Sequence, residues 1–401
     1  MTNKSKYFIT IMFLAFIGVF AILFWVVPKS DFSPKEKRYL QTFPEVSATT
    51  LTDGSFETKF EDYINDHMVM RDAFMGINSY SNLLVLNNGS DGVYKCKNGY
   101  LINKPATNER LDLNLSVVSD FQKKTGIDTS LMIVPSTGYI MDNVLPHIHE
   151  KYNDDEYFST INKYCSENNL SNIDLRNTFK ANKDNTQVYY KTDHHWTTKG
   201  AYLAYNQLCS KWNIKPATRD KFTIQTANDF LGTTYNTSGF WLNESDTIEI
   251  WNNLNNKSTC SITANGITTK YNSMYFTDQL KGADKYAVFL NGNNPVTTIK
   301  NPNCKNNKKL LIIKDSFSHC LAPFLSENFS EVTLVDMRYY KKSVSEEICS
   351  KTKFDKVLVC MELDNFLADK DFAFLEWFIL SEFWLNNHIV KIHRLSRWLF
   401  F

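Results

Sequence analysis

Three short apolar runs in the last quarter of the chain limit the fold more than anything else in the sequence: Leu310-Leu311-Ile312-Ile313, Val332-Thr333-Leu334-Val335 and Val357-Leu358-Val359-Cys360. Runs of this kind, with little polar alternation, belong to strands covered on both faces, and such strands are parallel. A similar run, Ser130-Leu131-Met132-Ile133-Val134, lies earlier, and helical patterns around 156–168 and 198–212 follow it. Strands alternating with helices predict a parallel sheet with helices on both faces. Ligands in such sheets gather beyond the carboxyl ends of the strands. The residues that follow each strand are therefore the ones to read for chemistry.

After Lys309–Lys314 comes Asp315-Ser316-Phe317-Ser318-His319, and Cys320–Leu325 has a helical start. A serine at a sharp strand-to-helix turn exposes its hydroxyl, and backbone N–H groups nearby can bind a developing oxyanion. A base is offered far upstream, in Thr192-Asp193-His194-His195-Trp196-Thr197. Val188-Tyr189-Tyr190 before it reads as a strand, and Thr197 and Thr198 after it can cap a helix. In an extended segment residues two apart share a face. Asp193 then lies beside the His195 ring, while His194 and Trp196 point the other way. A carboxylate beside an imidazole fixes its tautomer and supports its protonated form, as a general base requires. Ser316, His195 and Asp193 are the candidate catalytic residues.

Blander readings stand beside this one. Asp193 and His195 can be a buried histidine satisfied by a carboxylate. A metal site is disfavoured because neighbouring histidines on an extended segment diverge and no third ligand is evident, so no metal is expected. His319 is a rival base, with a polar residue at a helix start as its simpler role. Asp315 is read as stabilising that helix start. Low-priority candidates for substrate binding or oxyanion donation are Arg338, after the strand at 332–335, Asn291 and Gly292, in a turn, and Ser136, after the first strand. A surface ion pair between Arg338 and Asp336, and a plain turn at 291–295, are the competing explanations.

The Asp315-Ser316 pair resembles the Gly-Asp-Ser block of the SGNH hydrolases, with Lys314 where glycine normally stands. In those enzymes the Asp-x-x-His block comes last, whereas here an Asp-x-His block comes first. With Thr-Asp-His-His-Trp-Thr followed by Thr198-Lys199-Gly200-Ala201, the chain resembles the DHHW protein family. It is also similar to the related AlgX and AlgJ proteins of alginate O-acetylation, which are permuted SGNH-like domains. The resemblance spans roughly residues 30–366. It implies an SGNH hydrolase-like three-layer α/β/α sandwich with a parallel sheet, and the triad roles for Asp193, His195 and Ser316. It further implies a cell-surface polysaccharide O-acetyltransferase or O-acetylesterase working through an acetyl-serine. A polysaccharide would be the acceptor, and a membrane-bound O-acyltransferase would supply the acetyl group. A non-catalytic surface protein binding glycan or a partner through a degenerate site is the alternative.

The formal net charge is +1, and no basic excess points to nucleic acid. No acetyl-CoA site or other cofactor motif is visible, so no cofactor is expected. Tyr7–Val27 is an uninterrupted apolar run, long enough for the ~20 residues a spanning helix needs. It is read as an uncleaved anchor preceded by a short tail at 1–6. Lys4 and Lys6 precede it, while Lys29, Lys35, Lys37 and Arg38 follow it. That count does not favour a cytoplasmic N-terminus; the resemblance places the main domain outside the cytoplasm.

Residues 28–90 are read as a juxtamembrane linker and an amphipathic helix. Phe56, Phe60, Ile64 and Met68 give that helix one apolar face, expected to pack on the main domain. The SGNH-like domain is assigned to 91–370, with a β-rich insertion at about 213–307 that covers or walls the site. Asn98-Gly99 and Asn265-Gly266 are hairpin signals. The aromatic tail, 371–401, reads as a closing helix in its first half and a membrane-touching basic end. Eight cysteines include no Cys-x-x-Cys pair, and mostly buried thiols are expected.

Overall fold

The computed structural model describes residues 3–33, 38–106 and 110–375. Most of the aromatic tail, from residue 376 on, lies outside the described residues.

The apolar runs form the centre of one eight-stranded sheet. Its strands are β1 (Thr129–Val134), β2 (Ser171–Asn172), β3 (Thr259–Ala264), β4 (Ile267–Tyr271), β5 (Val296–Lys300), β6 (Lys309–Lys314), β7 (Glu331–Val335) and β8 (Lys356–Glu362). Their spatial order is β4-β3-β5-β7-β6-β8-β1-β2. From β7 to β2 all pairings are parallel, with Ile312 opposite Leu334 on one side and Leu358 on the other. β5, β3 and β4 extend the β7 edge antiparallel. The sheet is therefore mixed. The three added strands come from the β-rich region, whose Thr-rich strands end in the weakly buried β4 and need cover on only one side.

Alternate residues of the central strands feed two separate cores, as a period of two demands. Leu131, Ile133, Leu311, Ile313, Val357 and Val359 face one way. There they meet Leu115, Val118 and Phe121 of a helix at Leu111–Thr125 and Phe158 and Ile161 of one at Asp154–Glu167. Met132, Val134, Leu310, Ile312, Leu358 and Cys360 face the other. They meet Ala201, Ala204, Tyr205 and Leu208 of the helix Thr198–Lys211, and Leu321 and Phe324 of the helix Ser318–Leu325. Burying one such side chain stabilises by about 1.5–3 kcal/mol, so a charge at Leu311 or Ile312 would be enough to break a layer. This is the layered arrangement, helices on both faces of the sheet, that the alternation predicts, and the three-layer sandwich that the SGNH resemblance implies. Asn98-Gly99 and Asn265-Gly266 both turn hairpins, each residue with positive φ. All eight cysteines are free thiols, six of them buried.

The N-terminal region departs from expectation in one respect. The apolar run forms the helix α1 (Asn3–Val26), and the amphipathic helix is α2 (Ser55–His67). The apolar face of α2 is not spent on the main domain. Phe60, Ile64 and Met68 instead line a groove with Phe16, Phe20 and Phe24 of α1, and Tyr63 meets Phe24 edge to face. It is the next helix, α3 (Arg71–Leu84), that docks on the main domain. Gly76 lies where a Cβ would collide with the Trp241 ring, and Ser79 Oγ donates to the Ser238 carbonyl at 2.6 Å.

Candidate active site

Four strand ends converge at one edge of the sheet: Ser136 follows β1, Ser316 follows β6, Asp336 follows β7, and Glu362 closes β8. The turn after β6 is held by Asp315, which has no side-chain freedom left. Its carboxylate accepts from the Phe317 N–H at 2.9 Å, and from the Glu362 N–H and Asn365 Nδ2, both at 2.8 Å. Asp315 is thus a turn-holder, as read from the sequence. The helix Ser318–Leu325 then starts beyond it, with Ser316 only 8% exposed.

The histidine loop is built differently from its reading as a strand end. Val188–Tyr190 is no strand. Tyr189 makes an isolated bridge to Trp196, Tyr190 N donates to the His195 carbonyl at 3.1 Å, and Thr197 N donates to the Val188 carbonyl at 2.8 Å. The motif is therefore a tight loop between two short antiparallel arms, and Thr197 then caps the following helix by accepting from Gly200 N. Because the loop is bent rather than extended, the alternation argument fails for His194. Its ring does not point away but lies against the His195 ring, with centroids 3.9 Å apart. Trp196 goes to the interior, where its Nε1 donates to the Phe317 carbonyl at 2.9 Å and ties the loop to the serine turn.

Within this loop the three candidates meet. His195 Nδ1 lies 2.5 Å from Asp193 Oδ1, and His195 Nε2 lies 2.6 Å from Ser316 Oγ. Asp193 also accepts from the His195 N–H at 2.9 Å and, through its other oxygen, from the Thr233 N–H at 2.7 Å. A carboxylate so placed holds a proton on Nδ1 and leaves Nε2 to accept from the serine. All three side chains are buried, so the hydrogen bonds are little weakened by water.

Several supporting residues carry no signal of their own in the sequence. Gly232 sits where a Cβ would come within 2.1 Å of the Asp193 Cβ, so only glycine permits that approach. Asp246 latches the loop from the β-rich region, accepting from Gln187 Nε2 and Thr192 N, both at 2.8 Å, and from Thr192 Oγ1 at 2.7 Å. Tyr286 stacks on His195 at a centroid distance of 4.0 Å and fixes the ring plane. None of these could be singled out by spacing, since each meets the loop only through the tertiary fold.

Lys314, the departure from the glycine of the SGNH block, is buried and engaged. Its Nζ lies 2.7 Å from Asp336 Oδ2 and 2.7 Å from His319 Nε2. Burial pushes the Lys314 ammonium below its usual range, against the pull of Asp336. Burial, followed by the charge of Lys314, pushes His319 well below the ordinary imidazole range. His319 is therefore a neutral acceptor for a lysine, which disfavours it as the base. Arg338 pairs with Asp336 at 2.7 Å and reaches Asn293 at 3.2 Å, which is the ion-pair reading. Asn291 and Gly292 form a left-handed turn. The Asn291 side chain accepts from Gln279 Nε2 and the Gly292 N–H donates to the Phe289 carbonyl, so these groups are already engaged. Ser136 gives its N–H to Asp154 and lines a cavity of about 280 Å³ with His194, Thr233, Glu362 and Asp364. Burial raises the Asp364 carboxyl to about 6 in that wall. Asp193, His194 and His195 hold their ligand atoms within 4.8 Å of one another, yet two of those groups are engaged in the hydrogen bonds that lead to Ser316.

Fold and site together define an SGNH-like α/β domain with a serine–histidine–aspartate chain of hydrogen bonds at its strand ends. Residues 139–335, a stretch that holds both the loop and Ser316, match the family model described as DHHW protein. Among solved structures, a DHHW family protein of Eubacterium siraeum aligns at a TM-score of 0.60 and 22% identity, over 71% of this chain and 95% of that one. Bacillus cereus PatB1, solved with a sulfonyl adduct, aligns at 0.59 and 20% identity, over 70% and 97%. The O-acetyltransferase domain of Pseudomonas putida AlgJ is a weaker likeness at 0.47 and 15% identity, over 71% and 95%. No curated protein sequence matches the chain significantly.

Proposed function

We propose that this protein is a serine-dependent O-acyltransferase or esterase acting on a cell-surface polysaccharide, with acetyl as the group moved. The observation that carries the proposal is the continuous pair of hydrogen bonds from Ser316 Oγ to His195 and from His195 to Asp193. As Ser316 Oγ attacks an acetyl carbonyl, its proton passes to His195 Nε2, and Asp193 stabilises the imidazolium. The imidazolium returns that proton to the departing alkoxide, leaving acetyl-serine. A sugar hydroxyl, deprotonated by the same nitrogen, then takes the acetyl group; water in its place gives hydrolysis. Family resemblance supports acetyl and a polysaccharide acceptor, and suggests a membrane-bound O-acyltransferase as donor. The apolar helix α1 fits an anchor that leaves the domain on the extracytoplasmic side.

Full-length protein in detergent, treated with an activated acetyl ester, should gain one acetyl group at Ser316 by intact mass and release acetate. Ser316→Ala should lose both signals, at least the ~10²–10⁴-fold typical of one acid–base group. Ser318→Ala should keep them, because that hydroxyl donates to the Cys360 carbonyl on the far side of the turn. Folded protein with no acetyl-serine and no turnover above the Ser316→Ala background would favour a binding role instead.

A further inference from the structure

Beside α1, the helix α3 carries an apolar stripe that the described residues leave largely uncovered. Met70, at its N-cap, Phe74 and Ile77 follow one another at helical spacing and are 62%, 39% and 62% exposed, and Leu84 at the far end is 84% exposed. The opposite face of α3 is committed to the main domain through Gly76, Ser79 and the Asp72 carbonyl, which accepts from Trp241 Nε1 at 2.8 Å. A rigidly docked helix with one face left apolar is a contact surface rather than an accident of a loose segment.

Its position along α1 says what covers it. The Phe74 ring meets the Phe20 ring at 5.6 Å. Phe20 precedes the end of α1 by about 9 Å of helix, at the usual 1.5 Å rise. Phe16, which lines the same groove as Phe60, Ile64 and Met68, precedes it by about 15 Å. The apolar stretch Tyr7–Val26 is just long enough to cross the ~30 Å hydrocarbon layer, so it has little length to spare outside it. If α1 spans, Phe74, the middle residue of the Met70–Phe74–Ile77 stripe, is below the boundary of the hydrocarbon. The groove between α1 and the α2–α3 pair, about 710 Å³ and walled by apolar side chains, lies at the same depth.

We propose that the Met70–Phe74–Ile77 stripe of α3 is seated in the acyl-chain region of the bilayer that α1 crosses, as a second and separate membrane contact. An interfacial helix is held there by its buried apolar area. Because α3 is clamped to Trp241 and Ser238, the contact fixes the attitude of the main domain as well as its tether. The helix Thr233–Ser238, which ends at that clamp, begins at Thr233, whose N–H holds Asp193. The site is thus one rigid helix away from the membrane-facing one.

The test uses the full chain in phosphatidylcholine vesicles, with the half-buried Cys304 and Cys349 replaced by serine and an environment-sensitive fluorophore placed at Ile77→Cys. The exposed Lys281→Cys, in the β-rich region, is the control. Lipids brominated in the acyl chain should remove most of the emission at position 77 and leave position 281 unchanged, while aqueous iodide should do the reverse. Quenching of position 77 by iodide would overturn the proposal. Protection from both quenchers would also overturn it, and would show that a protein, such as a second copy, covers the stripe. Flotation of the vesicles reports separately whether α1 anchors the chain, and failure to float removes the membrane contact with it. Neither readout depends on Ser316, so a loss of the catalytic reading leaves the outcome intact.

Discussion

Ser316 stands two residues beyond a strand whose Leu310, Leu311, Ile312 and Ile313 are fully buried, paired on both sides by other buried strands. His195 stands in a loop with no regular pairing beyond one isolated bridge, held by side chains that arrive from elsewhere in the chain. The two halves of one site therefore depend on different forces. The serine is positioned by the sheet and by a buried ionic cluster beneath its turn; the histidine is positioned by hydrogen bonds that Asp246 accepts and that Thr233 and Trp196 donate. Removing a cluster partner should harm stability first, whereas removing a latch should harm geometry first.

The largest effect is expected on the serine side. Asp336→Ala leaves the Lys314 ammonium buried, with only His319 and Asn293 to meet it, and frees Arg338. Breaking a buried pair in this way costs about 3–5 kcal/mol, which denaturant unfolding of the detergent-solubilised chain should register. A loss below about 1 kcal/mol, the scale of an exposed pair, would mean that the cluster does not support the strand end.

Next in size is the histidine latch. Asp246→Ala strips the acceptor from four donors, Lys191 N, Thr192 N, Thr192 Oγ1 and Gln187 Nε2. Leaving buried donors unmet costs about 1–3 kcal/mol, less than the first variant. Activity with an activated acetyl ester should fall further than that suggests, on the order of 10²-fold, because a small displacement of a reacting group is enough. Stability loss without loss of activity would erase the contrast between the two halves.

That contrast also explains what could be read in advance. The serine side was legible because Leu310–Ile313 is a local pattern: continuous apolar residues mean a strand with two covered faces, and its end is where ligands meet such sheets. The hairpins at Asn98-Gly99 and Asn265-Gly266 were legible for a similar reason, since left-handed turns demand those residue types. For the histidine side, Asp193 was rightly placed beside the His195 ring, but the segment that carries them is a bent loop and not the extended strand end assigned to it. Aromatic residues at 188–190 read as a strand, whereas their burial serves a core formed with Phe179, Phe230 and Tyr286. His194 was accordingly sent to the wrong side. Gly232, Asp246 and Tyr286 act at sequence distances that no local period encodes. The amphipathic face of α2 was recognised, yet a single sequence does not say which of two apolar surfaces, sheet domain or α1, will receive it.

The smallest effect separates the two halves by pH. Asp154, like Asp246, accepts a backbone N–H next to the site, from Ser136 at the end of β1, but among the described residues no lysine or arginine pairs with it. Burial, with a further push from Asp364, raises its carboxyl from the ordinary 3.8 to about 7. The folded protein thus holds this proton more tightly than the unfolded chain. Stability contributed here is complete below the unfolded value of 3.8, falls as pH rises, and is lost once pH passes about 7. Asp154→Asn keeps an acceptor for Ser136 and removes the titration. At pH 8 the variant should be the more stable protein, and near pH 4 the advantage should vanish. Asp154 is buried but lines a hollow of about 520 Å³, so a small shift towards that space relieves its carboxylate once it ionises. The gain should therefore stay within about 1–2 kcal/mol, well short of one pKa unit's 1.4 kcal/mol multiplied over the whole shift. Thermal unfolding of wild type and variant across that pH range decides it. Parallel curves would mean that Asp154 remains ionised in the fold.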